Sequence, residues 1–514
     1  MMPSIEAFAK SNPTGMAYAM VPSGQIVTWQ ELEQRSRRCA AALVATGLKE
    51  GDGIAIFLEN HVRYFEIIWA AFRVGLYYTT ISRHLKADEL KYIVQDCDAK
   101  AVFCSSQTLE GFDVQVLEDL PIRRVILDAE RSGFDNYESF LQSVPADASL
   151  PSTLQGMDFC YSSGTTGLPK GIKRPLADAN KFFAAKGDAR TRWKDFDPQS
   201  VYLSTAPFYH TAPVRWCMNV MKAGGSCVML EKFDPLTALA AIEHYRVSHA
   251  QWVPTMFIRL LRLAEEDKAQ FDLSSMRYAI HAAAPCPASV KEQMIGWWGP
   301  ILYEYYSGTE LVGRTSLDSH EWLAHKGSVG RVEFGQVHIV DETGQEQPAG
   351  QTGVIYFSGG GRFDYHKDPE KTARAYNDKG WATYGDIGHV DEAGYLYLTD
   401  RLANTIVSGG VNIYPQEAEN ILATHPAVAD VAVVGVPNEE FGEEVKAVVQ
   451  LQDPAQACDA LAAELIAHCR SQISAIKCPR SVDFVTELPR AESGKLLKRM
   501  VKARYWPSES QIAH

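Results

Sequence analysis

At 514 residues the chain exceeds the size at which one hydrophobic core keeps growing, so at least two domains are expected, and a 46% hydrophobic fraction is enough to fill them. The net charge of -13 argues against broad attraction to nucleic acid or anionic membranes, so any anionic ligand has to meet local positive charge. No stretch approaches the roughly 20 apolar residues that span a bilayer, 65–72 being only a short buried-segment candidate, and the N-terminus MMPSIEAFAKSNPTG lacks the basic-then-apolar order of a secretory signal, so a cytoplasmic enzyme without a transmembrane segment is expected.

Thr28 and Glu31 have capping-box spacing, and Gly47 stands where a C-cap glycine would, so a helix is predicted over 28–46. GIAIFLEN (53–60) reads as a strand, 61–74 as a helix ending near Gly75, and LYYTTI (76–81) as the next strand. A helix over 86–97 and the strand AKAVFCSS (99–106) continue an alternation that recurs around VYLSTAP, SCVML and HAQWVP. Such alternation predicts a layered α/β domain.

Beyond about residue 395 the texture changes. YLYLTDR and NTIVSGG read as a short hairpin and PQEAENILATH as a helix, followed by the strands VADVAVVGV and EVKAVVQLQ, a helix near 457–473 and the strand SVDFVTE. The fold class is therefore α/β, a large N-terminal layered α/β domain with a small α+β C-terminal domain of about 110 residues. Ten cysteines between Cys39 and Cys478 form no C-x-x-C pair, which suggests buried small hydrophobes rather than a zinc knuckle or disulfide frame.

The segment YSSGTTGLPKGI (161–172) packs three glycines, two serines, two threonines and a lysine into twelve positions. Glycines let backbone N–H groups approach a phosphate closely, hydroxyls add donors, and Lys170 supplies charge. The Walker pattern G-x-x-x-x-G-K-[ST] does not align on it. The segment closely resembles the phosphate loop of the adenylate-forming superfamily, which contains acyl-CoA synthetases, adenylation domains and firefly luciferase. By that resemblance Ser162, Ser163, Gly164, Thr165, Thr166, Gly167 and Lys170 bind the nucleotide phosphates.

Further stretches resemble the other family motifs in family order, from Thr28 to about Arg499. APFYH (206–210) resembles the motif bordering the carboxylate pocket, which places His210 there. YYSGTE (305–310) resembles the motif in which a tyrosine stacks on adenine, a threonine touches the α-phosphate and a glutamate helps hold Mg2+, roles that fall on Tyr306, Thr309 and Glu310. YGD (384–386) resembles the element whose aspartate, here Asp386, accepts both ribose hydroxyls. In TDRLANTIVSGGVNIYPQEAE (399–419), Arg401 would face ribose and phosphate, and Ser408, Gly409 and Gly410 would border the pantetheine tunnel. LPRAESGKLLKR (488–499) resembles the terminal motif carrying the adenylation lysine, Lys495, while Lys498 and its neighbours read either as a solvated basic face or as receivers of CoA phosphates. The resemblance implies residues 1–399 as the ATP- and acyl-binding domain, 400–404 as a hinge and 405–514 as a mobile lid.

Several positions depart from the family pattern. Ala403 stands at the hinge where lysine or aspartate is usual, and Tyr384 replaces a common threonine, so no nucleotide contact is carried over to it. Ala282 and Ala283 replace glycines, and Tyr305 and Ser307 replace the glycines of G-Y-G, at positions that flank the acyl pocket in relatives. Extra side chains there suit a bulky, aromatic, alicyclic or branched acid, and the chain looks most like the branch holding bacterial bile-acid-like acyl-CoA ligases, whose substrates can also be fatty. The implied activity is AMP-forming ligation of a carboxylic acid to coenzyme A, using ATP and Mg2+, with no nucleic-acid partner and a homodimer as one option for assembly. The competing readings are an adenylation enzyme that loads a carrier-protein phosphopantetheine and a non-catalytic acyl or nucleotide sensor.

Overall fold

The computed structural model describes residues 5–151, 154–162, 169–176, 196–490 and 496–506. The chain divides into two compact units: Met1–Trp252 with Arg262–Ile280 and Arg362–Thr372, and Val253–Leu261 with His281–Gly361 and Ala373–His514.

In the first unit the alternation of strand and helix folds as predicted. β3 (Gly53–Phe57), β4 (Tyr77–Thr80), β5 (Ala99–Cys104), β6 (Arg123–Ile126), β7 (Asp135–Asn136) and β8 (Met157–Asp158) form a sheet in the order β7-β6-β5-β3-β4-β8, every pair parallel. Parallel neighbours need crossovers, and the helices Tyr64–Arg73 and Ala87–Asp96 supply two of them. All five residues of β3 are buried, as a strand covered on both faces requires. Ala55, Phe57, Leu90, Ile93, Val102 and Phe159 pack in one cluster on this sheet.

The helix Trp29–Ala45 starts where its cap signal lies, the Thr28 hydroxyl accepting the Glu31 N–H at 3.2 Å. It is tied to the helix Tyr64–Arg73 through the buried Glu66, whose carboxylate accepts Arg35 and Arg63 at 2.8 Å each and the Tyr137 phenol at 3.1 Å. A second sheet carries β1 (Met16–Val21), β2 (Ile26–Thr28), β11 (Val201–Ser204), β12 (Ser226–Leu230), β13 (His249–Trp252) and β14 (Tyr278–His281). A third, antiparallel, holds β9 (Cys160–Ser162), β10 (Lys170–Lys173) and β20 (Asp364–Tyr365).

The second unit is built on antiparallel ladders. β15 (Leu302–Ser307), β16 (Arg314–Asp318) and β17 (Arg331–Phe334) pair in sequence. β18 (Gln336–Val340), β19 (Gly353–Ser358), β21 (Ala382–Val390) and β22 (Leu396–Arg401) form a meander. β23 (Ile406–Ser408), β24 (Val411–Ile413), β25 (Val428–Asn438) and β26 (Gly442–Leu451) make the last sheet, with β27 (Ser481–Val485) joining β26 in parallel. The helices Pro415–Leu422 and Asp459–Arg470 cover it, and Ile406, Leu422, Val433, Val449, Leu465 and Cys469 share its core.

One predicted pairing is corrected here. YLYLTDR does not form a hairpin with NTIVSGG: β22 pairs with β21, and β23 turns back onto β24. Gly409 (φ 57°) and Gly410 (φ 80°) are the two central residues of that turn, the left-handed pair a tight hairpin favours. Eight of the ten cysteines are buried and all are free thiols, as small hydrophobes would be. Among the described residues no helix is long and apolar enough to cross a membrane.

Candidate active site

The glycine-rich segment is flanked by two antiparallel strands, whereas a Walker loop leads from a strand into a helix. Ser162 ends β9 and lies opposite Lys170, the first residue of β10. Ser163, Gly164, Thr165, Thr166 and Gly167 lie outside the described residues. The Lys170 ammonium stands 5.6 Å from the centre of the Tyr365 ring. A Cβ at Gly171 would come within 2.8 Å of the Phe159 ring and 3.1 Å of Tyr161, so glycine is required where β10 crosses these rings.

Next to β9, Asp158 binds Arg215 at 2.6 Å and Arg174 at 3.2 Å. Burial opposes its ionisation, yet the two guanidinium groups outweigh that and hold the carboxyl far below the usual range. His210 is the N-cap residue of the helix Thr211–Ala223, its N–H bonded to the Pro207 carbonyl at 3.2 Å and its ring 4.5 Å from that of Tyr209.

In the second unit three of the candidate residues meet. The Tyr306 phenol, at the end of β15, donates to Asp386 Oδ2 at 2.6 Å. Asp386 lies opposite Arg401 across the β21–β22 ladder, with Arg401 Nε 3.2 Å from Oδ1. Burial pushes the Tyr306 phenol well up, and the Asp386 charge adds to that, so the phenol remains a proton donor.

Thr309 and Glu310 follow β15 in a turn that closes with Leu311 N–H on the Gly308 carbonyl at 3.2 Å, Leu311 itself at φ 54°. Ser307 does not stand alone as a pocket residue, because its hydroxyl donates to the Gly313 carbonyl at 2.9 Å. Tyr305 is paired across β15–β16 with Ser316. Tyr384, which motif comparison leaves without a role, bridges the same turn, its hydroxyl donating to the Gly313 carbonyl at 2.8 Å and accepting the Gly313 N–H at 3.1 Å. The only sequence signal for it was its departure from the usual threonine.

Ala282 is buried, while Ala283 is exposed and held at φ 76°, the left-handed region that glycine enters freely. Beside them His281 is fully buried, and burial, reinforced by Lys291, pushes its pKa well down and keeps the ring neutral. Lys291 in turn binds Glu304 at 2.6 Å.

Ser408 is buried and pairs with Val411, and Gly409 N–H bonds to the Phe441 carbonyl at 2.8 Å. Lys495 lies outside the described residues. Of the basic residues after it, Lys498 is not part of a solvated face: it reaches Glu419 at 2.8 Å with 15% of its side chain exposed. Lys502 binds Glu443 at 2.8 Å. Both charges are met within the chain, which argues against a CoA-phosphate role for them.

Among the described residues no group of three or more His, Cys, Asp or Glu could hold a metal. A single carboxylate at Glu310 fits Mg2+ all the same, since that ion keeps several waters and takes much of its coordination from substrate phosphates.

A phenol, a carboxylate and a guanidinium gathered on antiparallel strands are groups of the kind that can take up a nucleotide. The model of the AMP-binding enzyme family matches residues 5–364, and that of the AMP-binding enzyme C-terminal domain matches residues 417–495. The chain belongs to this family, in the acyl-CoA ligase branch of the adenylate-forming superfamily.

It is 32% identical over 500 residues to a feruloyl-CoA synthase of Amycolatopsis sp, covering 95% of this chain and 96% of that one. It is 29% identical over 509 residues to the long-chain-fatty-acid–CoA ligase FadD13 of Mycobacterium tuberculosis, covering 97% of each. Among solved structures, ATP-bound MatB from Rhodopseudomonas palustris superposes with a TM-score of 0.82 at 28% identity, covering 98% of this chain and 99% of that one.

Proposed function

We propose that the protein is an AMP-forming carboxylic acid:CoA ligase that works through an acyl-adenylate. The observation that carries the reading is the Tyr306–Asp386–Arg401 cluster, in which an aromatic ring, a hydroxyl acceptor and a cation stand together as an adenosine phosphate requires. In the first step a carboxylate oxygen of the acid attacks the α-phosphorus of ATP and the bond to pyrophosphate breaks. Thr309 and the 162–170 segment orient the phosphates, which saves orientation entropy. The Lys495 ammonium stabilises the negative charge that builds on the phosphoryl oxygens. Glu310 would hold Mg2+, which when bound would supply further charge neutralisation.

In the second step the CoA thiol, losing its proton, attacks the acyl carbonyl and AMP leaves. Residues 405–514 turn about 400–404 between the steps, withdrawing Lys495 and bringing Ser408, Gly409 and Gly410 to the thioester channel. A hinge needs tolerant backbone torsions more than a charge, so Ala403 is compatible with this motion. His210 borders the carboxylate, and Ala282, Ala283 and Tyr305 shape a pocket for a bulky acid. Relatives named for feruloyl, long-chain-fatty and 2-succinylbenzoate substrates support that range.

Purified enzyme with ATP, Mg2+ and a panel of fatty, aryl, arylpropenoic and steroid acids should release pyrophosphate with at least one acid. It should then release AMP on addition of CoA alone. Dependence of AMP release on a phosphopantetheinylated carrier protein would favour the carrier-loading alternative, and absence of pyrophosphate with every acid would favour a sensor.

A further inference from the structure

Tyr384 departs from its family pattern, and its surroundings give the departure a use. Its ring meets Tyr306 edge-on, with centroids 5.8 Å apart at 87°, and lies 5.5 Å from Phe357. Its hydroxyl takes both the N–H and the carbonyl of Gly313, and Ser307 Oγ lies 3.4 Å away. Gly308 runs so close to the ring that a Cβ there would collide with Tyr384 Cε1 and Cδ1. The turn that bears Thr309 and Glu310 is thus held at Gly308 by contact with the ring and at Gly313 by the phenol.

Threonine could reach neither hold, because its side chain ends at the γ position. Two residues further along the same strand, Asp386 accepts the Tyr306 hydroxyl. One stretch of β21 therefore fixes the ring read as the adenine platform, the carboxylate read as the ribose acceptor and the turn read as the phosphate contact. Burial also pushes the Tyr384 phenol up, which keeps it a donor to the Gly313 carbonyl at neutral pH.

We propose that Tyr384 is a positioning residue for ATP, a strut that sets the Thr309–Glu310 turn at a fixed place relative to Tyr306 and Asp386. The proposal rests on reading those four residues as the nucleotide site. Tyr384→Phe removes only the hydroxyl, with its two hydrogen bonds to Gly313 and its 3.4 Å contact with Ser307 Oγ, and Tyr384→Thr removes the ring as well. Gly308→Ala adds a methyl group that collides with the ring and also comes within 2.7 Å of Glu310 Oε2.

The test is acid-dependent ATP–pyrophosphate exchange, with KM measured separately for ATP and for the acid and thermal unfolding recorded for each variant. Tyr384→Phe should raise KM for ATP about tenfold and leave KM for the acid within twofold, and Tyr384→Thr should raise it further. Gly308→Ala should cost more than tenfold in kcat/KM for ATP in the native background and several-fold less in the Tyr384→Thr background, where only the Glu310 contact remains. A KM for ATP within twofold of the native value in Tyr384→Phe, or equal rises in both KM values, overturns the strut. Asp386→Ala is run in parallel to separate the two readings. If it raises KM for ATP while Tyr384→Phe does not, the strut alone fails, and if it too leaves KM for ATP unchanged, the nucleotide site and the strut fail together.

Discussion

Lys498 Nζ stands 2.8 Å from Glu419 Oε1, with 15% and 7% of the two side chains exposed. The same carboxylate oxygen accepts the Val433 N–H at 2.7 Å. Burial pushes the Glu419 carboxyl up and Lys498 draws it back, so the pair joins the helix Pro415–Leu422 to the helix Lys498–Lys502 that follows the Lys495 motif. On the other flank of residues 491–495, Arg490 grips Asp430 through two bonds of 2.6 Å and bridges to Leu496.

Glu419→Ala leaves the Lys498 ammonium half-buried without its anion, a loss of about 3 kcal/mol. Replacing both partners by methionine should recover part of that, because no lone charge is left buried although the Val433 N–H still loses its acceptor. Calorimetric unfolding of the single and double variants distinguishes the cases, and equal destabilisation in the two would show that packing, not charge, is what the pair contributes.

Ala283 occupies a left-handed backbone position, φ 76°, where a side chain is strained. Ala283→Gly should stabilise the chain by up to about 1 kcal/mol, the strain relieved outweighing the added freedom of the unfolded chain. A fall in the unfolding midpoint would contradict this.

How much of this was legible in the sequence depended on the distance over which each feature is decided. The Thr28 cap and the strands from Gly53 to Cys104 were readable because capping and hydrophobic runs are local. The partner of YLYLTDR was not, because a short alternating strand carries no label for its neighbour, and β21 lies on its N-terminal side. The tight turn at Gly409–Gly410 joins β23 to β24 instead. The roles of Tyr384 and Lys498 depend on Gly313 and Glu419, each distant in the chain, and no local pattern announces such contacts. Order and type of motif singled out Tyr306 and Asp386, whereas the direct hydrogen bond between them required coordinates.

Lys222 gives a pH dependence with a definite sign. Burial lowers its pKa from 10.5 to about 8, with Asp158 acting the other way, and its ammonium lies 4.4 Å from the centre of the Phe72 ring. Below the folded value both native and unfolded chains carry the proton and the cost of burying the charge stands. Between the two values the unfolded chain binds more protons, so stability rises with pH through that window. Lys222→Met should therefore stabilise the chain at pH 7 by on the order of 1 kcal/mol, and the gain should shrink by pH 10. A gap in unfolding midpoint that stays constant over this range would contradict the titration.

Gly410, at φ 80°, has open space around a would-be Cβ but a backbone that a β-branched residue rarely adopts. Gly410→Val should distort the β23–β24 turn and slow thioester formation from a supplied acyl-adenylate by at least about tenfold while adenylation changes little. Unaltered CoA consumption would remove Gly410 from the channel.

The role of Lys495 is tested most directly by measuring the two half-reactions of Lys495→Ala side by side. Acyl-adenylate formation, followed as pyrophosphate release, should fall by about 100-fold or more, as loss of a charge aimed at the transition state implies. Thioester formation from supplied acyl-adenylate and CoA should stay within a few fold of the native rate. Equal loss of both half-reactions, or retention of the first, would contradict the assignment.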